Sequence, residues 1–234
     1  MKQLIIIFLC ISTSLFSQEI EGISIFKLGK FKESQVDSLA QVYTTTIFNC
    51  DNYECDDPIR SKLTIKKLLP NQSETYKSPS RSSYSPNISV YSFMNYKLNE
   101  KYNIEKIVLS FYKSILYSID IISPEKLLID DLELKYGDGE LSKRESKDRC
   151  YISGESFELP STIYTKNWKN TNQNLSMMYM LMSGYSSSCE KRILSSLHLM
   201  DKNIYMTADQ ESNNARNNFK SSMNKMKKEN LKDL

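Results

Sequence analysis

Apolar side chains recur along this chain with two different periods, and the switching between them predicts an α+β fold. Leu128, Ile129, Leu132 and Tyr136 follow the i, i+4, i+8 spacing of a helix lying on a sheet. Ser123 is expected as its N-cap, with Pro124 at the first helical position, where a missing N–H costs nothing. Glu125 complements the helix dipole and Gly137 is expected as the left-handed C-cap. An earlier helix is expected from Ser34, read as an N-cap with Asp37 at the capping-box position. Val36, Leu39, Ala40 and Tyr43 share one face of it. The β-branched run Thr44, Thr45, Thr46, Ile47 then ends the helix in favour of strand.

Period-2 alternation predicts the strands. One short strand is expected at 23–26, and three follow the first helix, at 88–98, 106–112 and 115–122. Lys113-Ser114 is the expected hairpin turn. Ile107, Leu109 and Phe111 should share one face, and Ile115, Tyr117, Ile119 and Ile121 another. After the second helix, residues 139–149 read as a charged linker, followed by strands at 161–168, 175–182 and 193–200. Each half therefore reads as a helix and then three strands. That order implies helices packed on antiparallel sheet, in two tandem α-β-β-β units. The units span 18–122 and 123–208, with a Ser/Pro-rich loop at 71–87. A polar, basic tail at 209–234, helical or disordered, carries the stripe Ala215, Phe219, Met223, Met226.

The stretch Phe26-Lys27-Leu28-Gly29-Lys30 before Ser34-Gln35-Val36 resembles the approach to the helix in two kinds of small envelope protein. These are the outer-membrane assembly lipoproteins of the BamE type and the secreted β-lactamase inhibitor protein. Residues 109–119 are similar to the strand hairpin of such units. Leu132-Glu133-Leu134-Lys135-Tyr136-Gly137 and Trp168 are similar to segments of many uncharacterised secreted bacterial proteins. The resemblance implies helices on one face of an antiparallel sheet, repeated in tandem, and a role in protein binding. It carries over no functional residue, and the lipobox of the lipoproteins is absent.

The first residues add a compartment. Lys2, the apolar run from Leu4 to Phe16, and the small Ser17 have the order of a cleaved signal peptide at 1–17. The run is short of the ~20 apolar residues that span a bilayer. No stable membrane insertion is expected after cleavage, and a secreted or periplasmic location follows. Four cysteines then remain, Cys50, Cys55, Cys150 and Cys189. An even number in an oxidising compartment predicts two disulfides. Three pairings are possible; Cys50 with Cys55 and Cys150 with Cys189 keeps each bridge within one half.

Charge is nearly balanced, with 31 Lys and Arg against 28 Asp and Glu. Basic and acidic residues interleave, so nucleic acid is not an expected partner. The only histidine, His198, has no nucleophile motif beside it and reads as structural or surface. Asp51, Glu54, Asp56 and Asp57 around Cys50 and Cys55 offer hard oxygen donors, but without EF-hand spacing they read as an acidic surface loop. Asp130-Asp131 with Glu133 reads as a solvated helix face. Gly137-Asp138-Gly139 is too short for a phosphate loop. Asn71, Asn87 and Asn174 start N-x-S sequons, relevant only to eukaryotic secretion. Trp168 with Tyr164 and Tyr179 reads as sheet-face or core aromatics, with an exposed ligand patch as the alternative.

No cofactor or metal site is expected. The function these features favour is a non-enzymatic binding or scaffold protein of the bacterial envelope or extracellular space. Another envelope or secreted protein is the expected partner, held on the sheet face opposite the helices. The alternatives are a secreted hydrolase with a carboxylate site and a membrane-associated protein using its tail.

Overall fold

The computed structural model describes residues 20–50, 62–68, 84–169 and 174–230. The leader at 1–17, the acidic residues 51–57 and most of the 71–87 loop lie outside them.

A small ladder of β1 (Gly22–Ile23) with β2 (Phe26–Lys27) opens the fold and leads to α1 (Ser34–Val42). Then come β3 (Ile47–Cys50), β4 (Thr64–Leu68), β5 (Ile88–Lys97), β6 (Asn103–Tyr112) and β7 (Ile115–Ile122). Helix α2 (Lys126–Tyr136) precedes β8 (Glu140–Ile152), β9 (Glu155–Lys169), β10 (Leu175–Tyr185) and β11 (Lys191–Asp201). Helix α3 (Lys202–Asn230) follows without a loop.

Nine strands form one sheet in the order β3-β4-β5-β6-β7-β11-β10-β9-β8. Two antiparallel meanders, β4 to β7 and β8 to β11, meet last strand to last strand; only β3 with β4 is parallel. The protein is therefore mainly sheet, with three helices. Helix α3 has no counterpart beside the first meander. Four strands rather than three follow α2, because the expected charged linker is the strand β8. From Ser142 to Arg149 its side chains are polar on both faces, as an edge strand tolerates and as protection against edge pairing favours.

One face of the sheet carries the main core. Val36 and Ala40 of α1 and Leu128, Ile129, Leu132 and Tyr136 of α2 pack there with Phe26, Phe93, Ile107, Leu109, Ile119, Ile121, Leu197 and Leu199. The α2 stripe read from the sequence is thus its buried face, and so are Val36 and Ala40 of the α1 stripe, whereas Leu39 is partly buried and Tyr43 is exposed just past the helix. Their caps differ. Glu33 stands at the α1 cap, and the Gln35 carboxamide reaches back to accept from the Lys32 N–H at 2.8 Å. Glu125, extended at φ −61° and ψ 143°, caps α2, so Pro124 lies before the helix. Ser123, the expected N-cap, instead turns the chain into the helix at positive φ, +53°.

Lys113 and Ser114, both at positive φ, form the expected β6–β7 turn. A β-bulge then alters the expected faces. Ser110 pairs with Ser118 but Phe111 pairs with Leu116, leaving Tyr117 as the extra residue. Leu116 therefore joins Ile119 and Ile121 on the core face, and Tyr117 turns to the other.

That other face holds a second cluster of Leu68, Ile88, Val90, Val108 and Tyr117, covered by Ala208 and Ile204 of α3. The helix begins at Lys202 because Asp201 caps it, its carboxylate accepting from the N–H groups of Asn203 (3.0 Å) and Ile204 (3.1 Å). Farther along, the Glu211 carboxylate accepts from Ser85, from Asn87 Nδ2 (2.8 Å) and from the Tyr112 hydroxyl (2.8 Å). Phe219 of the expected tail stripe stacks near Tyr84, centroids 5.6 Å apart. Among the described residues no helix is long and apolar enough to cross a membrane. Glu211→Ala should speed amide exchange along α3 while leaving β6 and β7 protected. Unchanged α3 exchange would mean that the carboxylate does not hold the helix down.

Candidate functional site

The loop before α1 hydrogen-bonds to the start of β7: Glu33 N–H donates to Ser114 O (2.9 Å) and Leu116 N–H to Phe31 O (3.0 Å). This fixes the Glu33 side chain in a cleft of about 410 Å³, lined also by Asp37, Asn49, Lys67 and Tyr91. Its carboxylate accepts from Lys67 Nζ (3.0 Å), the Tyr91 hydroxyl (2.8 Å) and Ser114 Oγ (3.2 Å). Lys67 Nζ also sits 5.2 Å from the Tyr91 ring centroid. Burial raises the Glu33 pKa, but hydrogen bonds from Tyr91, Lys67 and Ser89 outweigh it and the net shift is downward. Burial pushes Tyr91 up to about 12, so its hydroxyl stays a donor. Burial opposes the Lys67 charge, yet Tyr91 and Glu33 hold its pKa above the ordinary value.

Glu33, Lys67 and Tyr91 bond to one another, so the cluster ties the start of α1 and β4 to β5. A carboxylate with a lowered pKa stabilises the fold above its ordinary range and loses that contribution as pH falls through its folded value. Glu33→Gln should therefore be less stable than the wild type at neutral pH, with the gap closing below pH 4.5, the ordinary value for the group. Thermal melts at stepped pH test this; a gap independent of pH would contradict it. A broader depression of about 680 Å³ is lined by Thr44, Thr45, Thr46, Phe48, Lys62 and Asn95 among others, with no carboxylate among the described residues.

The second feature is the β8–β9 hairpin. β9 pairs with β10 over Thr162 to Lys169, but β8 and β9 continue together to Ile152 and Glu155. The ribbon thus runs past the sheet and turns at Ser153 and Gly154, both at positive φ. Its tip exposes Tyr151 (53 %), Ile152 (52 %) and Phe157 (40 %). Ile152 and Phe157 share one face and Tyr151 takes the other. Cys150 and Cys189 form a disulfide that ties this ribbon to the β10–β11 turn. Tyr151 N–H donates to Ser187 O (2.8 Å), and the Asp148 carboxylate accepts from Tyr185 N–H (2.8 Å). The bridge closes a sequence separation of 39. Losing it should cost about 2–4 kcal/mol. The double variant Cys150→Ser, Cys189→Ser should show that loss in denaturant melts and faster amide exchange at the tip; an unaltered melt would contradict the role of the bridge.

Other sequence-derived residues fall as follows. Cys50 is disulfide-bonded and buried beside Leu68; its expected partner Cys55 lies outside the described residues. Asp130 and Asp131 lie on the exposed side of α2, paired with Lys126 (2.7 Å) and Lys101 (2.6 Å), and the more buried Glu133 pairs with Lys166. Trp168 is a core residue, its Nε1 donating to Gly137 O at 2.6 Å, while Tyr164 is exposed. Gly139, at φ +64°, makes room for it: a Cβ there would lie 2.9 Å from Trp168 Cε2. His198 Nδ1 hydrogen-bonds the Asp120 carboxylate across the β11–β7 ladder. Sequence reasoning could not pair these two, 78 positions apart. Among the described residues, no three His, Cys, Asp or Glu side chains form a metal-binding group. No known protein family, curated protein or solved structure matches this chain.

Proposed function

We propose that the chain is an exported binding or scaffold protein of the bacterial envelope or extracellular space, contacting another envelope or secreted protein. The observation that carries this is the β8–β9 tip, where Tyr151, Ile152 and Phe157 stand in solvent on a ribbon clipped by a disulfide. Ordering a loop on binding costs conformational entropy, and a ribbon already fixed avoids most of that cost. Aromatic side chains such as Tyr and Phe are enriched at protein interfaces relative to the rest of the surface. The Cys150–Cys189 bridge also suits an oxidising compartment. Two helix-plus-sheet units in tandem, as in the small envelope proteins named above, remain part of the proposal. Support comes from the way the two meanders meet at β7 and β11.

The contact surface differs from the one the sequence favoured. Helix α3 covers part of the sheet face opposite α1 and α2, so that face is not bare over β6 and β7. The hydrolase reading asks for two acids converging in a pocket, one with a raised pKa. Glu33 and Asp37 share a cleft, but among the described residues each carboxyl with a resolved shift moves downward.

A photo-crosslinking residue at position 157 should capture one discrete protein from intact cells, and one at position 134, on the exposed side of α2, should not. Ile152→Ser with Phe157→Ser should abolish that capture without altering the fold. Capture that is equal at both positions, or unaffected by the tip substitutions, would reject the hairpin as the contact.

A further inference from the structure

Strand β10 carries a row of thioethers that the core does not use. Met177 is fully buried among the core residues, Leu175 lies with it and Tyr179 packs against it, so odd positions face α2. Alternation turns Met178, Met180 and Met182 to the opposite face, where all three are half-buried. The register places His198 of β11 directly across from Met178, and Asp120 of β7 directly across from His198. Asp120, His198 and Met178 thus stand in one row over three neighbouring strands. The hydrogen bond to Asp120 engages Nδ1, which turns the ring edge bearing Nε2 away from β7. The His198 and Asp120 side chains are 18 % and 33 % exposed.

We propose that Met178, Met180 and His198 form a binding site for a soft monovalent cation, Cu(I). Thioether sulfur with imidazole nitrogen is a donor set that selects Cu(I) over harder ions. Side chains at positions 178 and 180 start about 7 Å apart on one face. Each methionine has three rotatable bonds with which to close on a shared ion. Met178 and His198 start closer still, as a directly opposed antiparallel pair. Thioethers need no deprotonation, so the site needs only a neutral imidazole. Asp120 is a positioning residue: a histidine bound to metal commonly gives its other ring N–H to a carboxylate, which fixes the tautomer and ring angle. The site is separate from the β8–β9 tip and stands whether or not that tip binds a protein.

The test is anaerobic titration of the disulfide-intact protein with Cu(I), using a chromogenic Cu(I) chelator as competitor. One Cu(I) per chain should bind, with Met178 and Met180 methyl resonances shifting together. Met178→Leu and Met180→Leu, near-isosteric changes on a half-buried face, should each weaken binding tenfold or more. His198→Gln should abolish it, and Asp120→Asn should weaken it ~10–100-fold. Met226→Leu, on the exposed end of α3, should change nothing. Circular dichroism confirms that each variant is folded. Binding that never saturates, that Met226→Leu reduces as much as Met178→Leu, or that survives in His198→Gln would overturn the site. Equal affinity for Zn(II) would overturn its assignment to a soft cation.

Discussion

The β7–β11 ladder is the constraint on which the rest of the structure depends. Five cross-strand pairs, from Ser196 with Ile122 to Met200 with Ser118, join two four-stranded meanders into one sheet. On the core face, Leu197 meets Ile121 and Leu199 meets Ile119, all four fully buried. Burying a side chain of this size is worth about 1.5–3 kcal/mol, so these four alone rival a domain's net stability. A slip of one residue would turn all of them outward, so the register is set by burial. The same register puts His198 beside Asp120 on the other face and delivers Asp201 to the point where α3 begins.

Much of this was legible because it is local. The α2 stripe, the Lys113-Ser114 turn and the strands around it follow from spacing within a dozen residues. What escaped was set by distant partners or by the lack of any apolar period. From Ser142 to Arg149, β8 is polar on both faces, so no apolar alternation marks the strand. The bulge at Tyr117 is a mismatch between two strands, which neither strand records alone. α3 begins on the polar residues Lys202 and Asn203, with no apolar period to mark its start, and Asp201 is its cap.

The candidate sites divide in the same way. His198 stood out as the only histidine, but its partner Asp120 lies on another strand, and the facing methionines read simply as strand residues. Tyr151, Ile152 and Phe157 sit among charges, and only the overhang of β8 and β9 beyond β10 shows that they project. Glu33, Lys67 and Tyr91 come together from three elements, and their mutual saturation marks them as framework. Rigid presentation is common to the hairpin and the methionine face: each holds its side chains on strands, without a loop that must be ordered first.

The seam makes both meanders one cooperative body. Trp168, the only tryptophan, lies in the second meander, and the amides of β5 and β6 report the first. In a denaturant series, tryptophan fluorescence and hydrogen exchange at β5 and β6 should lose the native signal at one shared midpoint. Two separated midpoints, with the Trp168 signal native while β5 and β6 have opened, would contradict the account.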